Sequence, residues 1–349
     1  MSHLAHRQRL GFFTRVLEEA PAADRYRFAV EQIVAAERAG FDTAWVAQHH
    51  FHREEGGLPS PFVLLAYAAA YTERITLGTA IVALSLEDPL RVAEDAAVLA
   101  RLSGGRFELG LGSGSTLSAF APFGKDAAQR SQLYVENVRR LDDALSGARL
   151  TADDGALYPA APELRTTIWE ATFSAQGAAR IGAAGHGLML ARSQPRTDGR
   201  QSLADVQAPL IEAYLSALPA DAAPRVLASR SVFVTDDRVT ARALAERGLE
   251  RAANEARRAG ADVASGSTAD VLASLDVHVG TPAEVIDELR ADDVLAAATD
   301  IVFQAHPVDP PHELVLRSIQ LIAGEVAPGL GWRLGTRTPV VPPNAARRR

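Results

Sequence analysis

A chain of 349 residues with 47% hydrophobic and 23% charged residues has the composition of a globular protein, long enough for one large domain or two smaller ones, and is neither disordered nor fibrous. It has no cysteine, which excludes a disulfide framework and a thiolate metal cage, and its net charge of -7 is spread along the chain, which argues against a nucleic-acid backbone as partner. The polar start Met-Ser-His-Leu-Ala-His-Arg-Gln-Arg lacks an apolar signal core, and no stretch approaches the roughly 18 apolar residues that a membrane span needs, so a cytoplasmic location is expected.

Residues 10–17 are apolar and aromatic and predict a strand; after Pro21, Tyr26, Val30, Ile33 and Val34 fall at helical spacing up to a stop at Gly40. A strand at 43–47, a helix at 61–71 and a β-branched strand at 75–84 follow. Asp88-Pro89 places an N-cap residue before a proline at the first helical position, opening a helix to about residue 102. A strand at 107–111 and a helix at 126–145 come next, and 149–158 reads as a surface excursion before a strand at 167–170. The alternation then repeats, with helices at 175–184, 203–215 and 236–259 and strands at 187–191 and 226–234. Thr281-Pro-Ala-Glu284 is a capping box, followed by a strand at 300–304 and a last helix near 313–322. Segment 260–279 lacks periodicity and is expected to be a mobile loop or lid. Eight strand-helix units predict a parallel sheet closed into one (β/α)8 barrel, a single domain over 1–349 with its core at about 10–330 and a tail at 331–349; the run Arg347, Arg348, Arg349 reads as solvated.

A barrel carries its site at the C-terminal ends of the strands, so the candidates follow Val46, Val82, Leu111, Glu170, Ala191, Val234 and Gln304. His49 and His50 lie just past the second strand, where extended backbone sends adjacent side chains to opposite faces, so one of the two reaches the pocket. Imidazole suits a site where a proton moves near neutral pH, although a loop hydrogen bond would also account for either histidine. A metal site built on His49, His50 and His52 would need further ligands, for which His186, His278 and His306 are the candidates; the metal reading ranks last, and no metal is expected. Gly110-Leu-Gly112-Ser113-Gly114-Ser115 is not a dinucleotide fingerprint, but such glycines let a ring or phosphate approach the backbone, and Ser113 and Ser115 add hydroxyls. Ser174 is an N-cap candidate whose helix start, running through Gly177, also offers amides and a positive dipole end to an anion.

Four blocks taken in order carry a family resemblance: Gly-Phe-Asp-Thr-Ala-Trp-Val-Ala-Gln48-His49-His50-Phe51, Leu77-Gly78-Thr79-Ala80-Ile81-Val82, Pro89-Leu90-Arg91-Val92-Ala93-Glu94-Asp95, and Leu102-Ser103-Gly104-Gly105-Arg106-Phe107-Glu108-Leu109-Gly110-Leu111-Gly112-Ser113-Gly114. Together they resemble the bacterial luciferase-like flavin-dependent monooxygenases, and the resemblance runs more weakly from residue 10 to about 330. It implies reduced FMN as cosubstrate, molecular oxygen as oxidant, a separate flavin reductase, a small organic substrate and a homodimer. It also implies that His49 is the catalytic histidine, that Ala80 and Ile81 lie against the flavin through a non-proline cis peptide, and that Gly112, Ser113, Ser174 and Gly177 line the cofactor site. The chain departs from the commoner pattern with Gln48 where a glutamate usually precedes the histidines, and with Ser113 where an arginine often holds the phosphate. Arg130 is the candidate replacement, a surface ion pair being its alternative role. A deazaflavin-dependent oxidoreductase on the same barrel and a non-catalytic flavin-binding or partner subunit are the alternatives.

Overall fold

The computed structural model describes residues 7–196, 202–258, 263, 266–305, 310–332 and 334. His306, residues 260–262, 264 and 265 of the expected lid, the first six residues, and the tail beyond 334 therefore lie outside the described residues.

The strands are β1 (Arg9–Thr14), β2 (Thr43–Val46), β3 (Thr76–Thr79), β4 (Val82–Ala83), β5 (Phe107–Gly112), β6 (Ile168–Ala171), β7 (Gly187–Leu190), β8 (Val226–Val234), β9 (Val277–Gly280) and β10 (Asp300–Gln304). Their order is β10-β1-β2-β3-β5-β6-β7-β8, and β8 pairs back onto β10, which closes an eight-strand parallel barrel as the alternation predicted. Around it run α1 (Ala22–Ala39), α2 (Pro61–Ala69), α3 (Pro89–Leu102), α4 (Arg130–Leu145), α5 (Ala175–Ala183), α6 (Leu203–Ala217), α7 (Arg238–Arg258), α8 (Thr268–Ser274), α9 (Pro282–Leu289), α10 (Asp293–Ala297) and α11 (His312–Leu321). The punctuation residues act as read. Asp88 accepts a hydrogen bond from the Leu90 amide, Gly40 ends α1 at φ 101°, and Thr281 with Glu284 forms the capping box of α9.

Two expectations need correction. The strand at 75–84 is interrupted: β3 pairs Gly78 with Glu108, β4 pairs Val82 with Leu111, and three residues on one side face two on the other. The extra residue bulges Thr79-Ala80-Ile81, and it is here that Ala80–Ile81 is a cis peptide bond. The segment read as lid is, in its described part, regular. α8 has its own capping box at Ser267 and Asp270, and β9 pairs with the outer half of β8 from Ser231 to Val234. A helix of seven residues and a strand of four are too short to show a period.

Glycines shape the interior. A Cβ at Gly78 would come within 2.2 Å of the Trp45 ring, and one at Gly187 within 2.3 Å of the Trp169 ring. The space they leave holds both indoles, fully buried and edge to face with centroids 6.1 Å apart. Met189, Leu227 and Val302 pack with them, and Phe13, Ala80, Ile81 and Ala171 lie against this group. At the N-terminal end of the barrel the Arg9 guanidinium spans Glu108 and Asp300, and Glu108 also accepts from the Trp169 indole at 2.6 Å. The barrel is thus plugged below, and its open end is the one where the candidate residues lie.

Candidate active site at the barrel mouth

β2 delivers Gln48, His49 and His50 to the mouth. Gln48 accepts from the Ala83 amide at 2.8 Å and donates to the Glu87 carboxylate at 2.7 Å, so it ties the end of β2 to the loop after β4. An amide can accept from one group and donate to the other, which a carboxylate beside Glu87 could not do without a proton. His49 is fixed through its backbone amide, which donates to the Leu58 carbonyl at 2.9 Å. Its ring lies over Gly56, where a Cβ would come within 2.3 Å of the imidazole Cδ2.

The two histidines have different surroundings. His50 is buried with its ring edge-on to Phe123 at 4.9 Å and its Nε2 without a hydrogen-bond partner. Burial lowers its pKa, against the opposing pull of Glu87. His49 is half-buried at the mouth, and burial, then the Arg15 and Arg192 guanidiniums, then His50, push its pKa down to about 3. The near-neutral titration of free imidazole is therefore replaced by a ring that stays neutral at working pH, a donor at one nitrogen and an acceptor at the other. Arg15 and Arg192 were missed in the sequence. Each lies just past a strand end, Arg15 one residue after β1 and Arg192 two residues after β7, and that position was the one signal available.

Next to β2 in the barrel, β3 and β5 approach closely. The Thr79 hydroxyl donates to the Gly110 carbonyl at 2.8 Å and accepts from the Gly110 amide at 2.9 Å. A Cβ at Gly110 would lie 1.9 Å from the Thr79 carbonyl oxygen, and one at Gly112 would lie 2.8 Å from the Ile81 side chain. Only glycine fits both positions, which keeps the wall beside Ala80 and Ile81 thin. Ser113 is half-buried at the strand end. Arg130 opens α4, its carbonyl accepting from the Ser85 hydroxyl at 2.9 Å, and among the described residues no carboxylate pairs with its guanidinium. Ser174 caps α5 by accepting from the Gly177 amide at 3.1 Å, and a Cβ at Gly177 would meet the Thr172 hydroxyl at 2.2 Å. The cap thus takes one amide of the helix start internally and leaves the earlier ones facing outward.

Among the described residues the remaining histidines do not converge. His52 lies within 2.9 Å of the Ser118 hydroxyl, His186 within 2.8 Å of Glu170, and His278 within 2.8 Å of Glu288. Among the described residues no group of three or more His, Asp or Glu side chains is placed to hold a metal ion. Inside the mouth, the buried hydroxyls of Ser229 and Ser231 on β8 have no hydrogen-bond partner. Apolar walls, glycine-thinned backbone and unpartnered buried hydroxyls fit a flat polar heterocycle, so the residues present suit a flavin or deazaflavin ring.

A family profile described as luciferase-like monooxygenase matches residues 9–299. An uncharacterized protein of Sinorhizobium fredii, y4vJ, is 33% identical over 48% of this chain and 50% of its own length, so the chain spans about half the length of the curated relatives it matches. Among solved structures, monooxygenase RslO1 from Streptomyces bottropensis superposes with a TM-score of 0.74 at 23% identity, over 92% of this chain and 99% of that one. The oxygenating constituent of 3,6-diketocamphane monooxygenase from Pseudomonas putida, in complex with FMN, gives 0.71 at 20% identity, over 92% and 98%. At these identities the likeness is one of fold. Among the described residues no helix is long and apolar enough to cross a membrane.

Proposed function

The chain belongs to the luciferase-like monooxygenase family, and from that premise we propose that it uses reduced FMN and molecular oxygen to oxygenate a small organic substrate, the reduced flavin coming from a separate reductase. The observation that carries the reading is the close approach of β3 and β5 at Gly110 and Gly112, with Trp45 and Trp169 buried in the barrel interior and His49 half-buried at the end of β2. When bound, the flavin supplies the electrons that activate oxygen. The chain's own residues bind, orient and exclude water. Ala80, Ile81 and Gly112 receive the ring; Ser113, Arg130 and the helix start at Ser174 and Gly177 hold the phosphate. The neutral His49 ring offers one N–H as donor and one bare nitrogen as acceptor to orient the reacting groups by hydrogen bonds, while the buried indoles below keep bulk water out. A homodimer in the cytoplasm is part of the same proposal.

Anaerobic calorimetric titration with reduced FMN, followed by admission of oxygen, tests it. The expected result is tighter binding of reduced than of oxidised FMN, then oxygen uptake that depends on the bound flavin. Absence of binding in either redox state, or binding of a deazaflavin alone, would overturn it. Binding with no oxygen uptake would identify a non-catalytic flavin-binding chain instead.

A further inference from the structure

We infer that Gln48 is a positioning residue: through Ala83 and Glu87 it locks segment 83–87 onto the end of β2, and that segment keeps His49, Ile81, Gly112 and Arg130 in one register. The inference rests on the flavin-dependent oxygenase reading above and deepens it at the same site.

Segment 83–87 is tied at every residue. The Ala83 amide donates to Gln48 Oε1 at 2.8 Å, the Leu84 amide to the Gly112 carbonyl at 3.0 Å, and the Leu86 amide to the Ala83 carbonyl at 2.8 Å. The Leu84 carbonyl accepts from Asn137 on α4 at 2.9 Å, and the Ser85 carbonyl from Lys125 at 2.8 Å. The Ser85 hydroxyl donates to the Arg130 carbonyl at 2.9 Å, and the Glu87 carboxylate accepts from Gln48 Nε2 at 2.7 Å. Ala83, Leu84, Ser85 and Leu86 are buried, so a bond lost here leaves a polar group away from water. The candidate groups attach closely to this segment. His49 follows Gln48 in the chain, Ile81 lies two residues before Ala83, and Gly112 and Arg130 bond to the segment directly.

Gln48 meets opposite demands in this arrangement. Its Oε1 accepts from Ala83, while the two hydrogens of Nε2 go to the Glu87 carboxylate and to the Pro59 carbonyl at 3.2 Å. One orientation of the amide satisfies all three; the reverse sets N–H against N–H and an oxygen against two acceptors. Pro59 follows Leu58, whose carbonyl holds the His49 amide, so the same side chain also steadies the far end of the His49 loop. A glutamate at 48 would still accept from Ala83, but it would set a carboxylate against Glu87 unless the pair shared a proton. With Glu87 in place, position 48 requires an amide, which is a physical reason for the glutamine that interrupts the resemblance here.

The test exchanges the two side chains. Wild type, Gln48→Glu, Glu87→Gln and the double variant Gln48→Glu/Glu87→Gln are titrated with FMN and with riboflavin by calorimetry between about pH 5 and about pH 8, a range that spans the protonation of a carboxylate pair. Hydrogen exchange of the ligand-free proteins is followed over 83–87, and melting curves verify the fold. His50 and Lys125 face Glu87 and Asp88 lies beside it, so each variant is read against wild type at the same pH. Gln48→Glu is expected to weaken both ligands about 10-fold to 100-fold near the upper end and to speed exchange over 83–87, both defects shrinking as pH falls and the pair takes up a proton. Glu87→Gln still offers Gln48 an acceptor and is expected to lose less. The double variant, with its donor at 87 and its acceptor at 48, is expected within about 3-fold of wild type and without that pH dependence. A Gln48→Glu protein equal to wild type throughout, or a double variant as defective as Gln48→Glu, would overturn the proposal. So would a loss confined to FMN, which would be charge repulsion of the phosphate, or weakened binding with unchanged exchange over 83–87. If wild type binds no flavin while exchange follows the expected pattern, the flavin reading falls and the positioning role stands.

Discussion

At the scale of single residues, His49 and His50 show how one dipeptide meets two different surroundings, one ring over Gly56 and the other packed on Phe123. His49→Ala is expected to keep the fold and most flavin affinity while lowering substrate oxygenation by about 100-fold to 10,000-fold, with a smaller loss in His50→Ala. Steady-state turnover of both variants checks this; a defect confined to His50→Ala would move the role to the second histidine. The depressed pKa has a sign that stability measurements can read. Between the ordinary value of about 6.5 and the folded value of about 3 the unfolded chain binds the proton and the folded one does not, so the contribution is complete above that window and is lost as pH falls through it. In His49→Gln, acid titrations of stability should be shallower over that range. The histidine pair was legible in sequence because its members are adjacent and follow a strand. Arg15 and Arg192 were not, since they are 177 positions apart in sequence and only the fold lets both act on the His49 ring.

At the scale of elements, the capped helices were readable because caps are local chemistry, and Asp88, Ser174 and Thr281 all act where their residue types predicted. The break between β3 and β4 was not, because it answers to Gly110 on another strand. The same holds for the tie among α4, β6 and α5. Glu170 on β6 is fully buried; it accepts from Tyr134 on α4 at 2.6 Å, from Arg180 on α5 at 2.6 Å, and lies within 2.8 Å of His186. Burial alone would raise its pKa, but hydrogen bonds from His186 and Arg180, with the Arg180 charge, hold it at about 2. Glu170→Gln should cost about 3 to 5 kcal/mol in urea unfolding, since it leaves a partly buried guanidinium without its counter-charge. A depressed carboxylate stabilises fully above its ordinary pKa of about 4.5 and loses that contribution as pH falls toward 2, so wild type should lose stability in this window faster than Glu170→Gln.

At the scale of the whole molecule, β8 serves three pairings, the first with β7 over Val226–Ala228. Leu227–Ser231 closes the barrel against β10, and the outer half carries β9, which has no other strand partner among the described residues. α8, packed beside β9, has no buried residue. Hydrogen exchange should therefore find β1, β2 and β10 among the slowest amides, and α8 with β9 opening at lower free energy while the barrel stays closed. Equal protection of both regions would show one cooperative unit. Light scattering is expected to give twice the chain mass, as the proposed homodimer requires; a monomer at working concentration would remove that part of the proposal. The barrel itself was legible because eight strand-helix units leave few topologies open, while the added α8–β9 unit was hidden by its brevity.

The buried indole pair also makes the molecule its own light source. Trp45 and Trp169 lie fully enclosed beneath the mouth, whereas the third tryptophan, Trp332, packs beside Phe303 outside that pair. Two rings shielded from water emit in the near ultraviolet, where the isoalloxazine of a flavin also absorbs, so a flavin seated above them would drain their emission by energy transfer. Replacing Trp332 with phenylalanine would leave an unlabelled protein whose ultraviolet glow dims as the cofactor arrives and recovers as it leaves.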